Sequence, residues 1–164
     1  MSKREVVVLS GVRTAIGGFG GSLKSQTPCD LASTCVSEAV SRSGAAAEDF
    51  GHSVFGNVIH TERRDMYLGR VAAVNGGLPH ETPGVTINRL CGSGLQAIIS
   101  ATQQIELGVC DAAVAGGAEV MSKSQYWMPS ARFGQRMGDG AIVDAMVGAL
   151  TCPFDDTHMG ITAE

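Results

Sequence analysis

The chain has no dense basic patch. Its 12 lysines and arginines are outnumbered by 16 aspartates and glutamates, for a net charge of −4. That argues against a nucleic-acid partner. No stretch approaches the ~18–20 consecutive apolar residues of a membrane span, so no membrane partner is expected either. Met1-Ser2-Lys3-Arg4-Glu5 leads straight into a strand-like run, without the apolar core or cleavage site of a secretory leader. Five cysteines (Cys29, Cys35, Cys91, Cys110 and Cys152) make an odd set with no Cys-x-x-Cys. Neither a disulfide framework nor a zinc site is suggested. The expectation is free thiols in a reducing cytoplasm. Internal repeats and low-complexity tracts are also lacking.

What is present is glycine and a steady supply of apolar residues. At 164 residues the chain fits one domain, or a domain plus part of another. A chain of this size buries roughly 70% of its unfolded surface, and an apolar share of 44% is enough to fill such a core. The 22 glycines then point to tight turns and close backbone approaches, not disorder, because the apolar runs are intact.

Strand and helix signals alternate through the first 120 residues. Val6–Leu9 reads as a short buried strand, followed by a glycine-rich loop at Gly17–Gly21 that lacks the Lys-Ser/Thr of a P-loop and is expected to be a mobile turn. Thr27-Pro28 predicts an N-cap and first helical turn, with Ala32, Cys35, Val36, Ala39 and Val40 on one face and Gly44 as the stop. Strands are expected at Val54–Ile59, Val85–Ile87 and Ala112–Ala115. Helices are expected at Leu68–Val74 and from about Gly92 to Leu107, the latter with Leu95, Ile98, Ile99, Thr102 and Ile105 at i, i+3, i+4 spacing, the pattern of a core-facing stripe. This βαβαβαβ order predicts an α/β fold with a mostly parallel sheet and right-handed crossovers over residues 1–120. After Ala118 the periodicity fades. Met121–Met137, with the only tryptophan, reads as a functional or subunit-contacting loop, Asp144–Leu150 as a short helix, and residues 121–164 as the start of a second unit.

Cys91 is the candidate nucleophile. It follows a β-branched run and stands where a helix begins, with Gly92 and Gly94 just behind it. The helix dipole and its unpaired N–H groups favour a thiolate there, and the thiolate is the nucleophile. The pattern alone also allows a small buried residue. A rival reading exists in the same stretch: Gly92-Ser93-Gly94-Leu95-Gln96-Ala97 satisfies G-x-G-x-x-A, with Glu119 placed to bind a ribose. That would make a nicotinamide-dependent oxidoreductase. Its place third in the alternation, and a cysteine crowding the pyrophosphate, count against it. Ser93 is not a nucleophile elbow, which would need glycine at position 91. His52, His60 and His80 lack ligand spacing and read as surface or loop residues, so no metal site is expected.

The run Asn88-Arg89-Leu90-Cys91-Gly92-Ser93-Gly94-Leu95-Gln96-Ala97 resembles the nucleophile motif of thiolases. Val12–Gly17 with Phe19-Gly20-Gly21 is similar to their first strand and loop. Gly116–Glu119 with Met121-Ser122 resembles the segment entering their loop domain, and His158–Glu164 a signature within it. The nearest flavour is the bacterial acetyl-CoA acetyltransferase or β-ketothiolase group, and Asp65–Arg70 is similar to the variety accepting longer ketoacyl chains. Val120 stands where serine is usual. The resemblance implies an acyl-enzyme on Cys91, with its backbone N–H in an oxyanion hole. It implies that His158 and Met159 line an acyl-pantetheine pocket, and that Tyr126–Gly140 forms the arm of a homotetramer built from two dimers. Coenzyme A thioesters would be substrates, and no cofactor is implied.

Thiolases run about twice this length. The Gly-His-Pro histidine, the Cys-x-Gly-Gly cysteine and the Asn-Glu-Ala-Phe stretch of their second half do not occur in these residues. These 164 residues alone are therefore expected to have no turnover and to leave apolar faces uncovered. A non-catalytic remnant that only assembles with a partner chain is the third reading.

Overall fold

A computed structural model describes residues 4–164, so Met1–Lys3 lie outside the described residues. Helix α1 (Pro28–Ser43) is bracketed as its sequence dictates. Thr27 accepts a hydrogen bond from Asp30 N at 3.1 Å, Pro28 opens the first turn, and Gly44 closes it at φ +74°. Strand β1 (Phe50–Gly56), helix α2 (Leu68–Asn75), strand β2 (Gly84–Ile87), helix α3 (Ser93–Glu106) and strand β3 (Ala112–Gly117) follow. The second predicted strand thus starts earlier and ends at Gly56, which places His52 on β1 and not in a loop.

The three strands form a parallel sheet in the order β2-β1-β3, aligning Gly56 with Ile87 on one side and Gly117 on the other. The alternation of side chains sorts the core into two layers. Phe55 and Val114 pack with Val36, Leu68 and Ala72 of α1 and α2. Val54 instead packs with Ala97 and Ala101 of α3. The chain is α/β, with helices on both faces of the sheet.

Two expectations fail, each for a packing reason. Val6–Leu9 does not join the sheet: residues 4–17 have no regular structure, and Val8 is 87% exposed. A cleft of about 1000 Å³ is lined by this segment on one side and by β3, α1 and α3 on the other. A strand forms only where an open edge lies about 4.8 Å away, and β3's free edge lies across that cleft. The second failure is the face of α3. Ala97 and Ala101 are buried, whereas Leu95, Ile98 and Ile99 are exposed. The sheet is glycine-rich at this point, and α3 lies so close that a Cβ on Gly56 would meet the Ser93 Cβ at 2.6 Å. Only small residues fit such an approach. The larger apolar residues therefore form an uncovered patch, as the sequence suggested for this chain.

The Gly17–Gly21 loop is tied, not free. Gly21 N donates to Gly18 O, and Gly20 N donates to Ser122 Oγ at 2.9 Å. Beyond β3, strands β4 (Tyr126–Trp127) and β5 (Val143–Asp144) pair antiparallel and close the base of the excursion between them. Helix α4 (Ala145–Ala149) is capped by Asp144, and α5 (Met159–Thr162) ends the chain. Among the described residues no helix is long and apolar enough to cross a membrane.

Under α1 lies a buried thiol–carboxylate pair. Cys29 Sγ donates to Asp65 Oδ1 at 3.5 Å, and Asp65 Oδ2 accepts from Thr61 N, Thr61 Oγ1 and Glu62 N. Among the described residues, Cys29, Glu62 and Asp65 make a cluster with metal-ligand spacing. Its atoms are already engaged, since Glu62 also pairs with Arg64 at 2.7 Å. Burial first, then the neighbouring Asp65 charge and hydrogen bond, push the Cys29 thiol from 9.0 to about 12. Raising the folded value makes its stability contribution complete below pH 9 and lost as pH rises from 9 towards 12, where only the unfolded chain ionises readily. Urea unfolding midpoints should therefore fall more steeply across that alkaline range in the wild type than in Cys29→Ala. Parallel profiles would contradict the pairing.

Candidate active site

The C-terminal ends of β1, β2 and β3 meet beside the start of α3, the place where parallel α/β sheets present their chemistry. Asn57 N donates to Ile87 O at 3.0 Å, and Ala118 N donates to Gly56 O at 3.1 Å. The Asn57 amide nitrogen donates to Ala118 O at 2.9 Å and to Glu119 Oε1 at 2.7 Å. Glu119 also accepts from Val58 N and Ile59 N, both at 3.0 Å at their shorter contacts. It thereby clamps the segment after β1 to the end of β3. The residue keeps an exposed flank, but crowding around its carboxylate raises its pKa, against the lowering pull of the Ile59 and Val58 amides. The acid that the dinucleotide reading required for a ribose is thus spent on backbone amides.

Cys91 stands between β2 and α3, exposed, one residue ahead of the N-cap Gly92. The preceding turn is unusual. Leu90 holds φ at +49°, a region that costs a non-glycine residue about 1–3 kcal/mol. Four hydrogen bonds brace it. Leu90 N donates to Asn88 Oδ1 at 2.9 Å, and Arg89 N donates to Ser93 Oγ at 2.8 Å. Ser93 Oγ donates to Leu90 O at 2.6 Å, and Ser93 N donates to the same oxygen at 3.0 Å. The result is a thiol lifted to the surface at a helix start, so the structure does not support the buried reading of Cys91.

His158 and Met159 lie elsewhere in sequence and local structure. Thr151 and His158 form an antiparallel bridge that closes a tight loop. His158 caps α5 by accepting from Gly160 N at Nδ1, at 3.1 Å, which leaves the ring proton on Nε2. Met159 is 37% exposed. Among the described residues, no hydrogen bond joins either residue to Cys91. Sequence reasoning singled out Cys91 but missed the Asn57–Glu119 clamp and the bracing by Ser93. The second had a local signal: a serine three and four residues after the backbone groups it binds is a familiar side-chain-to-backbone motif.

Three comparisons bear on this arrangement. The family profile "Thiolase, N-terminal domain" matches residues 6–164. The beta-ketothiolase BktB of Cupriavidus necator is 62% identical over 161 residues, covering 98% of this chain and 41% of that protein. An acetyl-CoA acetyltransferase of Syntrophomonas wolfei is 42% identical over 164 residues, again covering 98% and 41%. Among solved structures, the Bacillus anthracis acetyl-CoA acetyltransferase superposes with a TM-score of 0.93 at 41% identity, covering 98% of this chain and 41% of that one. The human mitochondrial 3-ketoacyl-CoA thiolase in complex with CoA gives 0.91 at 35% identity, covering 95% and 40%. With its parallel sheet and an exposed cysteine at the start of α3, this chain belongs to the thiolase family. It spans about two fifths of the length of the curated relatives it matches.

Proposed function

We propose that Cys91 is the acyl-accepting nucleophile of a thiolase acting on coenzyme A thioesters. The exposed thiol on the braced turn between β2 and α3 carries this reading. The Cys91 sulfur attacks the thioester carbonyl carbon and a tetrahedral oxyanion forms. The Cys91 N–H supplies part of the stabilisation, a donor worth ~10²–10³ in rate. The coenzyme A sulfur then leaves with the electron pair of the broken C–S bond and takes up the proton given up by Cys91. In the condensing direction a second acetyl-CoA, deprotonated at its methyl group, attacks the acyl-cysteine and gives acetoacetyl-CoA. Thiolysis of a 3-ketoacyl-CoA is the reverse. His158 and Met159 line the acyl-pantetheine pocket, the former through its Nε2–H. No cofactor enters this scheme.

In the same reading, residues 1–120 form the nucleophile-bearing unit and residues 121–164 begin the loop domain. The Tyr126–Gly140 arm joins two dimers into a homotetramer in the cytoplasm. The 164 residues contain no Gly-His-Pro histidine and no second catalytic cysteine. We therefore place only the acylation half-reaction within their reach, slow and stoichiometric, with no turnover. Exposure to acetyl-CoA followed by peptide mass mapping is expected to find one acetyl group, on the Cys91 peptide, and a thiolysis assay is expected to stay at background. An unmodified Cys91 peptide would overturn the first claim, and sustained turnover would overturn the second.

A further inference from the structure

Leu90 O and Cys91 N belong to one peptide unit. A peptide is planar and trans, so its C=O and N–H point in opposite directions, and fixing one fixes the other. Leu90 O is held by two donors from a single residue, Ser93 Oγ at 2.6 Å and Ser93 N at 3.0 Å. The same hydroxyl accepts from Arg89 N at 2.8 Å, so its proton is committed to Leu90 O. Ser93 itself is immobilised. It is 5% exposed, and its Cβ abuts the end of β1, where any side chain at Gly56 would strike it. The Leu90 conformation at φ +49° is not one a leucine adopts unaided.

We propose that Ser93 is the positioning residue for the Cys91 amide. By holding Leu90 O inward it turns the Cys91 N–H outward beside its own thiol, where an oxyanion forms during acyl transfer. The proposal rests on the reading of Cys91 as an acyl acceptor, and it assigns Ser93 no contact with substrate. Removing the hydroxyl takes away one of the two donors to Leu90 O and the acceptor of Arg89 N, leaving Ser93 N alone to hold the peptide. That loosens the N–H, while the thiol stays exposed at the same turn.

Two reagents separate the amide from the sulfur. Transfer from acetyl-CoA develops a tetrahedral oxyanion and needs the N–H, whereas alkylation by iodoacetamide displaces iodide and develops none. In Ser93→Ala, acylation of Cys91 is expected to fall about tenfold, short of the ~10²–10³ for losing an oxyanion donor outright. Alkylation should stay within about twofold of wild type, and Ser93→Thr, which keeps the hydroxyl, should restore the acylation-to-alkylation ratio. If Ser93→Ala does not fold, Ser93→Cys, slightly larger and with a weaker donor, reads the same ratio, with fragment-ion sequencing of the peptide assigning each label to Cys91 and not to the introduced thiol. An unchanged ratio, or equal falls in both rates, overturns the positioning role. Absence of acylation in the wild type overturns the nucleophile reading itself, and this inference with it.

Discussion

Cys91→Ala should abolish acylation by acetyl-CoA, and Cys91→Ser should lower it by at least ~10³-fold, because a hydroxyl at neutral pH is a far weaker nucleophile than a thiol. The other cysteines cannot substitute. Burial raises the thiol of Cys29, with help from Asp65, to about 12, and raises that of Cys110 as well. Cys35 and Cys152 are half-buried, and neither has a glycine directly behind it. Substoichiometric iodoacetamide should therefore mark Cys91 first and Cys29 last. Both substitutions should leave the unfolding free energy within about 0.5 kcal/mol of wild type, since an exposed side chain leaves no cavity. Acylation persisting in Cys91→Ala at the wild-type rate would remove Cys91 from the chemistry and move the search to another thiol.

The parts of this molecule legible in its sequence are those set by near neighbours. Thr27, Pro28 and Gly44 bracket α1 because a cap, a fixed φ and a left-handed stop each act within a turn. The thiol at the start of α3 was legible for the same reason. Val6–Leu9 was not, because its apolar run expresses a capacity to pair, whereas pairing depends on where an edge lies in space. On α3, periodicity marked the stripe of Leu95, Ile98 and Ile99, whereas the face that turns inward carries Ala97 and Ala101. Nothing in the helix says that the glycines of β1 and β3 will draw the small side inward. Glu119 shows the same limit. Its spacing suited a ribose, but the amides of Val58 and Ile59, some 60 positions away in sequence, take its carboxylate. Ser93 acts through the peptide in front of it, whose direction depends on the left-handed turn at Leu90 and is not encoded by the glycines on either side.

Gly69→Ala should be the most destabilising single-methyl addition in the fold, even though alanine is the better helix former. In a helix interior the exchange gains about 1 kcal/mol of propensity. At Gly69 the new Cβ would overlap the carbonyl oxygen of Val85 and lie 2.7 Å from its carbonyl carbon, both backbone atoms of β2. Neither can rotate away as a side chain would. A Cβ at Gly84 on the same strand would likewise meet Arg70 N at 2.5 Å, so α2 cannot relax by sliding along β2. Moving the helix off the strand breaks the hydrogen bonds from Gly69 N to Thr86 Oγ1 at 3.0 Å and from Ser53 Oγ to Gly69 O at 2.8 Å. Overpacking costs about 1–3 kcal/mol and each lost bond about 0.5–1.5. The net loss of roughly 1–5 kcal/mol is a large share of the ~5–15 kcal/mol that holds a domain folded. Gly94→Ala is the matched control. It too lies in a helix, but its Cβ meets nothing within 4 Å, so it should be neutral or stabilising by up to about 1 kcal/mol. Urea unfolding of the two variants against wild type reads the difference. Equal midpoints would mean that α2 and β2 are not in the contact the fold requires. A deficit confined to Gly69→Ala would show that the parallel sheet behind Cys91 is held by the absence of a side chain at one helical position.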